Sequence, residues 1–212
     1  MAAPAGRVSL PLSAEQIRRN YERIRSEVGP GITVVAATKY ADLETMELLA
    51  EAGVEVVGEN RAQDLAVKHE RFGDRFHWHF IGHVQSRKAK DVSDLCELVH
   101  SLSSVSAAKR LSVPALVEVN LAGEETKSGV SPEQLPQFLA EARELGVDVR
   151  GLMTMPPLAD DPERSRPYFR RLRELAGELG LAEISMGTSQ DYGVAAEEGA
   201  TLVRVGSVLF GR

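Results

Sequence analysis

Cysteine occurs once in 212 residues, at Cys96, so the chain cannot close a disulfide on itself and suits a reducing compartment. A basic excess is missing too. The 25 Lys and Arg against 31 Asp and Glu leave a formal net charge of -6, which argues against a polyanion-binding surface and hence against nucleic acid, while leaving room for a local basic pocket. No apolar stretch approaches membrane-spanning length, and the opening MAAPAGRVSLPL, with one arginine and no continuous apolar run, resembles neither a signal peptide nor an anchor. The expected location is the cytoplasm, with no membrane partner. Internal repeats, low-complexity tracts and linkers are also lacking. The Pro-rich MPPLADDPERSRP, Met155 to Pro167, reads as a loop feeding a helix, so one domain over residues 1–212 is expected.

What is present is an ordinary globular balance, 43% hydrophobic and 26% charged, enough to bury a real core. Eight short β-type runs recur: Ile32 to Ala37, Val54 to Val57, His77 to Ile81, Glu97 to His100, Ala115 to Val119, Val147 to Leu152, Glu183 to Met186 and Leu202 to Val205. Helical readings lie between them. LETMELLAEAG spaces Leu43, Met46 and Leu49 or Ala50 on one face and stops at Gly53. SPEQLPQFLAEARELG offers Ser131 as N-cap, Pro132 at the first helical position and Gly146 as stop. Asp161 to Gly180 places Tyr168 or Phe169, Leu172, Leu175 and Leu179 together, and a shorter helix is expected from Ser189 to Glu198. An extra helix, Ala14 to Val28, precedes the first strand. Strands alternating with helices imply parallel pairing with right-handed crossovers, and eight such units point to a (β/α)8 TIM-type barrel, with a doubly wound open sheet as the fallback.

Reactive residues follow the strands: Lys39 the first, Glu59 and Asn60 the second, Gly82, His83 and Gln85 the third, Ser101 the fourth, Asn120 the fifth, Met153 and Thr154 the sixth, Gly187, Thr188 and Ser189 the seventh, and Arg204, Gly206 and Ser207 the eighth. In a barrel these converge on one mouth. Lys39 closes the apolar run TVVAATK, and either the strand simply surfaces there or the amine is presented for chemistry. Val35, Ala37 and Lys39 share a face at period two, which predicts an amine at the top of the barrel interior, where partial desolvation would lower its pKa and make it a nucleophile for a carbonyl. The MGTS of Met186 to Ser189, with Ser189 read as an N-cap, and Gly206 with Ser207 after the last strand suit a phosphate. Each segment alone is better explained by turn chemistry. Together with the lysine they suggest an aldehyde carrying a phosphate.

At this point the chain resembles a known family, the pyridoxal phosphate homeostasis proteins, small single-domain relatives of the alanine racemase barrel. The resemblance runs from about Ala14 to Arg212 through ATK (Ala37 to Lys39), GEN (Gly58 to Asn60), WHFIGHVQ (Trp78 to Gln85), HSL (His100 to Leu102), KSG (Lys127 to Gly129), GLMTM (Gly151 to Met155), SMGTSQD (Ser185 to Asp191) and VRVGSVLFG (Val203 to Gly211). It implies a fold-type III barrel with pyridoxal 5′-phosphate as cofactor. Lys39 would form the Schiff base, Asn60 would lie beside the ring, and Thr188, Ser189, Gly206 and Ser207 would hold the phosphate. Arg204 would face the pyridine nitrogen, where its permanent charge disfavours ring protonation and mutes carbanion chemistry.

The racemase relatives carry a second, β-rich domain whose tyrosine is the opposite acid/base; with Arg212 as the last residue, no such domain is expected here, and efficient two-base racemisation is not expected either. The implied function is a carrier or buffer in pyridoxal phosphate homeostasis, not an efficient enzyme, with the cofactor, related B6 vitamers and apo-enzymes as partners and a monomer as the expected state. The alternatives are a weak racemase or lyase, and a cofactor-free Schiff-base aldolase, which the lack of a carboxylate and second lysine poised around Lys39 disfavours. Two departures from the family pattern stand out. Thr188 replaces a frequent methionine, and the stretch from Ser101 to Pro114 is about ten residues short, which predicts a trimmed fourth barrel helix.

His77, His79 and His83 could suggest a metal, but no carboxylate or cysteine stands at ligand spacing, so packing or hydrogen-bonding histidines are expected and no metal. Arg87, Lys88 and Lys90 would either steer an anion or form a solvated helix face. Lys127, a second lysine at the mouth, could relay the aldehyde.

Overall fold

The computed structural model describes residues 12–124 and 128–211. Eight strands, β1 Thr33–Ala37, β2 Val56–Glu59, β3 His77–Phe80, β4 Leu98–Leu102, β5 Ala115–Glu118, β6 Val149–Met153, β7 Glu183–Ser185 and β8 Leu202–Val205, pair in chain order and close into a barrel. Every pair is parallel, and β8 meets β1 with Thr33 opposite Leu202 and Ala36 opposite Val205. Helix α1 Ala14–Val28 precedes β1; the crossovers that parallel neighbours need run through α2 Leu43–Glu51, α3 Ala62–Phe72, α4 Ala89–Ser93, α5 Val105–Ala108, α6 Leu135–Glu144, α7 Arg166–Glu178 and α8 Tyr192–Glu197; and α9 Ser207–Phe210 follows β8. The TIM-type barrel with its extra N-terminal helix is therefore the fold. No helix among the described residues is long and apolar enough to cross a membrane.

Two strands, β2 and β6, start two residues later than the sequence suggests, for one reason. After α2, Gly53 turns with φ +81°, and the Val54 N–H bonds back to Leu49 O at 3.0 Å. After α6, Gly146 turns with φ +84°, and the Val147 N–H reaches Ala142 O at 3.1 Å. These are Schellman closures, in which the apolar residue after the glycine packs onto its own helix instead of opening the strand. Helix α6 itself begins at Leu135, not at Pro132. Pro136 has no N–H to return to the Pro132 carbonyl, so residues 132–134 form only a turn, whose Gln134 N–H bonds Ser131 O, and the first α-type bond runs from Phe138 to Gln134 O. As the short Ser101 to Pro114 stretch predicts, α5 is a single turn of four residues.

Two apolar layers hold the barrel. Outside, α2 buries Met46 and Leu49, α7 buries Phe169, Leu172 and Leu175 against β6 and β7, and α1 lays Ile17, Tyr21 and Ile24 over α2, α8 and α9. Inside, Val35, Ile81, Leu98, Leu116, Met153 and Leu202 form a separate cluster with Ala37 and Val56 against it. Period-two alternation sends these side chains inward and fills the barrel around a few polar ones.

Candidate functional site

The carboxyl ends of β1, β2, β7 and β8 open on a pocket of about 530 Å³. Lys39, Asn60, Thr188, Ser189, Arg204, Gly206 and Ser207 all line it. So do Tyr40, Thr45, Met155, Gln190 and Phe210, which the sequence reading did not single out. Tyr40 neighbours Lys39, and Gln190 and Phe210 lie inside motifs already quoted.

Lys39 continues the inward face of Val35 and Ala37 onto the mouth, but it is exposed, and its Nζ stands 4.9 Å over the Tyr40 ring. The expected desolvation of the amine is therefore not provided by the protein. Strand β1 ends at Ala37, so Lys39 lies past the sheet, where water reaches it.

Directly beneath it is a buried polar clamp. Thr38 Oγ1 donates to Glu59 Oε1 at 2.6 Å, Lys68 Nζ of α3 donates to the same carboxylate and to the Thr38 carbonyl at 2.7 Å, and the Asn60 N–H donates to Glu59 Oε2 at 3.2 Å. Glu59 and Thr38 are fully buried and Lys68 nearly so. The clamp fixes the residue before Lys39 and the backbone of Asn60 together. Sequence reasoning missed Lys68, whose only trace is its place on the α3 face that also buries Leu65 and Phe72. Gly82 presses on the other side of Asn60, where an added Cβ would lie 2.0 Å from the Asn60 carbonyl oxygen. The Asn60 amide is left with Oδ1 as the one buried side-chain polar atom, among the described residues, without a hydrogen-bond partner.

At the loops after β7 and β8, the Ser189 hydroxyl accepts from the Gly206 N–H at 2.8 Å and from the Val208 N–H at 3.4 Å, joining the two loops. Ser189 is thus not the N-cap of α8. Asp191 holds that place, and its carboxylate takes both the Thr188 N–H at 2.6 Å and the Thr188 Oγ1 at 3.0 Å, folding residues 188–191 into a turn before the helix begins. Thr188 faces the pocket with its donors already committed.

Arg204 forms the floor. It is 5% exposed and donates to Ser185 Oγ and, at 3.0 Å, to the Thr154 carbonyl. Burial pulls its guanidinium down to about 10, with Asp191 and Glu118 opposing, so it stays charged at neutral pH. The Glu118 carboxyl is raised by burial, against its hydrogen bond from Ser128 at 2.8 Å.

The histidines separate. His77 is exposed and pairs with Glu97, His83 is exposed, and His79 is buried against His100. Lys88 and Lys90 pair with Asp91 and Asp94 on a solvated face, as the blander reading of that stretch holds. Lys127 lies outside the described residues.

Comparison with known proteins adds three findings. Residues 12–212 match the family model of the alanine racemase N-terminal domain. The chain is 40% identical to the pyridoxal phosphate homeostasis protein of Aquifex aeolicus, over 94% of this chain and 97% of that one, and 37% identical to the Pseudomonas aeruginosa protein of the same name, over 85% and 84%. The solved structure of PipY from Synechococcus elongatus with PLP bound superposes with a TM-score of 0.84 at 31% identity, covering 92% of this chain and all of that one.

Proposed function

The chain belongs to the pyridoxal phosphate homeostasis proteins of the alanine racemase N-terminal domain family, and from that premise we propose that it holds pyridoxal 5′-phosphate on Lys39 and buffers or delivers it, without efficient turnover. The observation that carries this reading is the single pocket that gathers a lysine amine, a seryl-glycyl loop pair and a buried arginine around an amide with an unused buried oxygen.

Those residues fit the cofactor. The cofactor supplies an aldehyde that forms a Schiff base. Lys39 would supply the amine for that carbon; attachment would release one water and hydrolysis would reverse it, so no oxidant would be needed. The Asn60 amide, whose oxygen and nitrogen are interchangeable by rotation, supplies a partner for the ring hydroxyl. The Ser189 hydroxyl, which accepts from the Gly206 N–H and keeps its own hydrogen to donate, would hold the phosphate together with Ser207, while Gly206 fixes the loop through that bond and Thr188, tied to Asp191, shapes the wall. Arg204 would present a fixed positive charge to the ring nitrogen, disfavouring protonation there and weakening the ring as an electron sink.

Retention over turnover is supported by the pocket's lining. Among the described residues, its titratable side chains are Lys39, Tyr40 and Arg204, with Lys39 and Tyr40 on the same strand end, so a second base facing Lys39 is not at hand for two-base proton transfer. We further propose a monomeric, cytoplasmic protein whose single domain spans the chain, with apo-enzymes as recipients.

Incubation with the cofactor should produce a visible absorption band, and borohydride should fix the label to the Lys39 peptide. Lys39→Ala should show neither. A wild-type protein that takes up no cofactor, or labels elsewhere, would refute the site. Sustained racemisation or keto-acid formation from any amino acid would refute the carrier role.

A further inference from the structure

Beneath the pocket, a string of buried polar side chains crosses the inside of the barrel to its other end. Arg204 Nη1 donates to Ser185 Oγ, Ser185 Oγ lies 2.8 Å from His100 Nδ1, and His100 Nε2 lies 3.0 Å from His79 Nδ1. Ser185 and His100 are completely buried, and Arg204 and His79 almost so. His79 lines a shallow cavity at the amino ends of the strands, together with His77, Glu97, Arg150 and Glu183. Strands β8, β7, β4 and β3 each contribute one member, all on the inward face.

One direction lets the buried Ser185 hydroxyl donate as well as accept. A guanidinium has five N–H groups and no acceptor, so Ser185 Oγ accepts from Arg204. The Ser185 hydrogen then finds His100 Nδ1 as acceptor, which leaves the His100 proton on Nε2, where it donates to His79 Nδ1. His79 therefore carries its own proton on Nε2. Neutral rings agree with the surroundings: burial holds His79 down to about 4, with Glu97 opposing and His77 assisting, and burial, His79 and Arg204 hold His100 well below the usual range.

We propose that Ser185, His100 and His79 are positioning residues for Arg204, forming a hydrogen-bond relay of fixed polarity that aims the guanidinium into the cofactor pocket and ties its aim to the opposite mouth of the barrel. This rests on the reading of the pocket as the pyridoxal 5′-phosphate site. Arginine has a long, rotamer-rich side chain, and two protein acceptors, Ser185 Oγ and the Thr154 carbonyl, leave its remaining N–H groups one orientation. A proton added at His79 Nδ1 removes the acceptor for the His100 N–H. His100 then shifts its proton to Nδ1, and Ser185 Oγ faces two donors, which loosens Arg204. The charged and titratable groups around this path are His77, Glu97, Arg150 and Glu183 at the His79 end, and Asp191 and Glu118 at the Arg204 end.

The direct test is nitrogen NMR of the imidazoles in the cofactor-free protein. His79 and His100 should both be neutral at pH 7 with the proton on Nε2; a proton on His100 Nδ1, or a doubly protonated ring, overturns the relay. The second arm compares His79→Phe, which offers no acceptor, with His79→Gln, whose side-chain oxygen can accept from His100. Cofactor retention, read from the Lys39-dependent visible band on dilution, should fall roughly tenfold in the phenylalanine variant, with a displaced pH titration of that band, and return toward wild type in the glutamine variant. A folded His79→Phe protein with wild-type retention and titration overturns the proposal. A wild-type protein with no Lys39-dependent band defeats the reading of the pocket instead, and the imidazole tautomers still decide the relay.

Discussion

Replacing Lys68 by methionine should remove the one cation that, among the described residues, touches Glu59, and the clamp geometry sets the size of the effect. The Glu59 side chain is 0% exposed and that of Lys68 8%. Without the ammonium, the carboxylate keeps the Thr38 hydroxyl at 2.6 Å and the Asn60 N–H at 3.2 Å, neutral donors that do not balance its charge. Breaking a buried pair from one side costs about 3–5 kcal/mol. Against a total stability of about 5–15 kcal/mol for a domain, that is a large fraction. Urea unfolding followed by the buried Trp78 provides the assay. The double variant Lys68→Met with Glu59→Gln, which removes both charges, should recover at least half of the loss.

Cofactor retention should stay impaired in both variants, since the Thr38 carbonyl loses the Lys68 ammonium that fixes the backbone before Lys39. A Lys68→Met protein within about 1 kcal/mol of wild type would refute the view that a charge pair, and not packing, closes this corner of the barrel.

Three further outcomes are expected. The folded His79 ring titrates at about 4 and an unfolded histidine near 6.5, so the unfolded state binds the extra proton in that window. Stability is then full above the upper value and falls with pH, by about 2 kcal/mol between pH 7 and pH 5, and His79→Phe should flatten that slope in urea midpoints. Burial pushes the Cys96 thiol up to about 12, so iodoacetamide should leave the native protein unmodified near pH 8 and alkylate it after unfolding. Gly82→Ala forces a Cβ onto the Asn60 carbonyl, so it should cost about 1–3 kcal/mol and reduce cofactor retention, whereas alanine at exposed Gly177, with open space around it, should do neither.

Much of this architecture was legible because strand and helix periods differ. The inward pairing of Val35 with Ala37, the stop at Gly53 and the apolar face of α7 are local patterns, and they carry Lys39 and Arg204 to the same mouth. The errors share a different origin. Val54 and Val147 look like strand residues because they are apolar and follow a glycine, yet a closure bond five residues back assigns them to helices. Ser189 looks like a helix cap, yet its hydroxyl bonds the next loop, and Asp191, at the N-cap position, turns its carboxylate back to Thr188. Exposure of Lys39 depends on the last residue of β1, which a period cannot fix to within two positions. His100 and Ser185 are 85 residues apart, and no local rule pairs them before the barrel closes.

The four-residue α5 sits between β4 and β5, on the arc opposite the β8, β1 and β2 ends that carry Arg204, Lys39 and Asn60. A barrel wall covered by one helical turn opens locally more readily than one sheathed by the thirteen residues of α7. Amide exchange should therefore begin at β4 and β5 and spread last to the strands bearing the lysine. The same arc is where loop insertions, affinity tags or fluorescent reporters could be grafted with the least disturbance to the cofactor end, and where drift in length among relatives would be tolerated most easily.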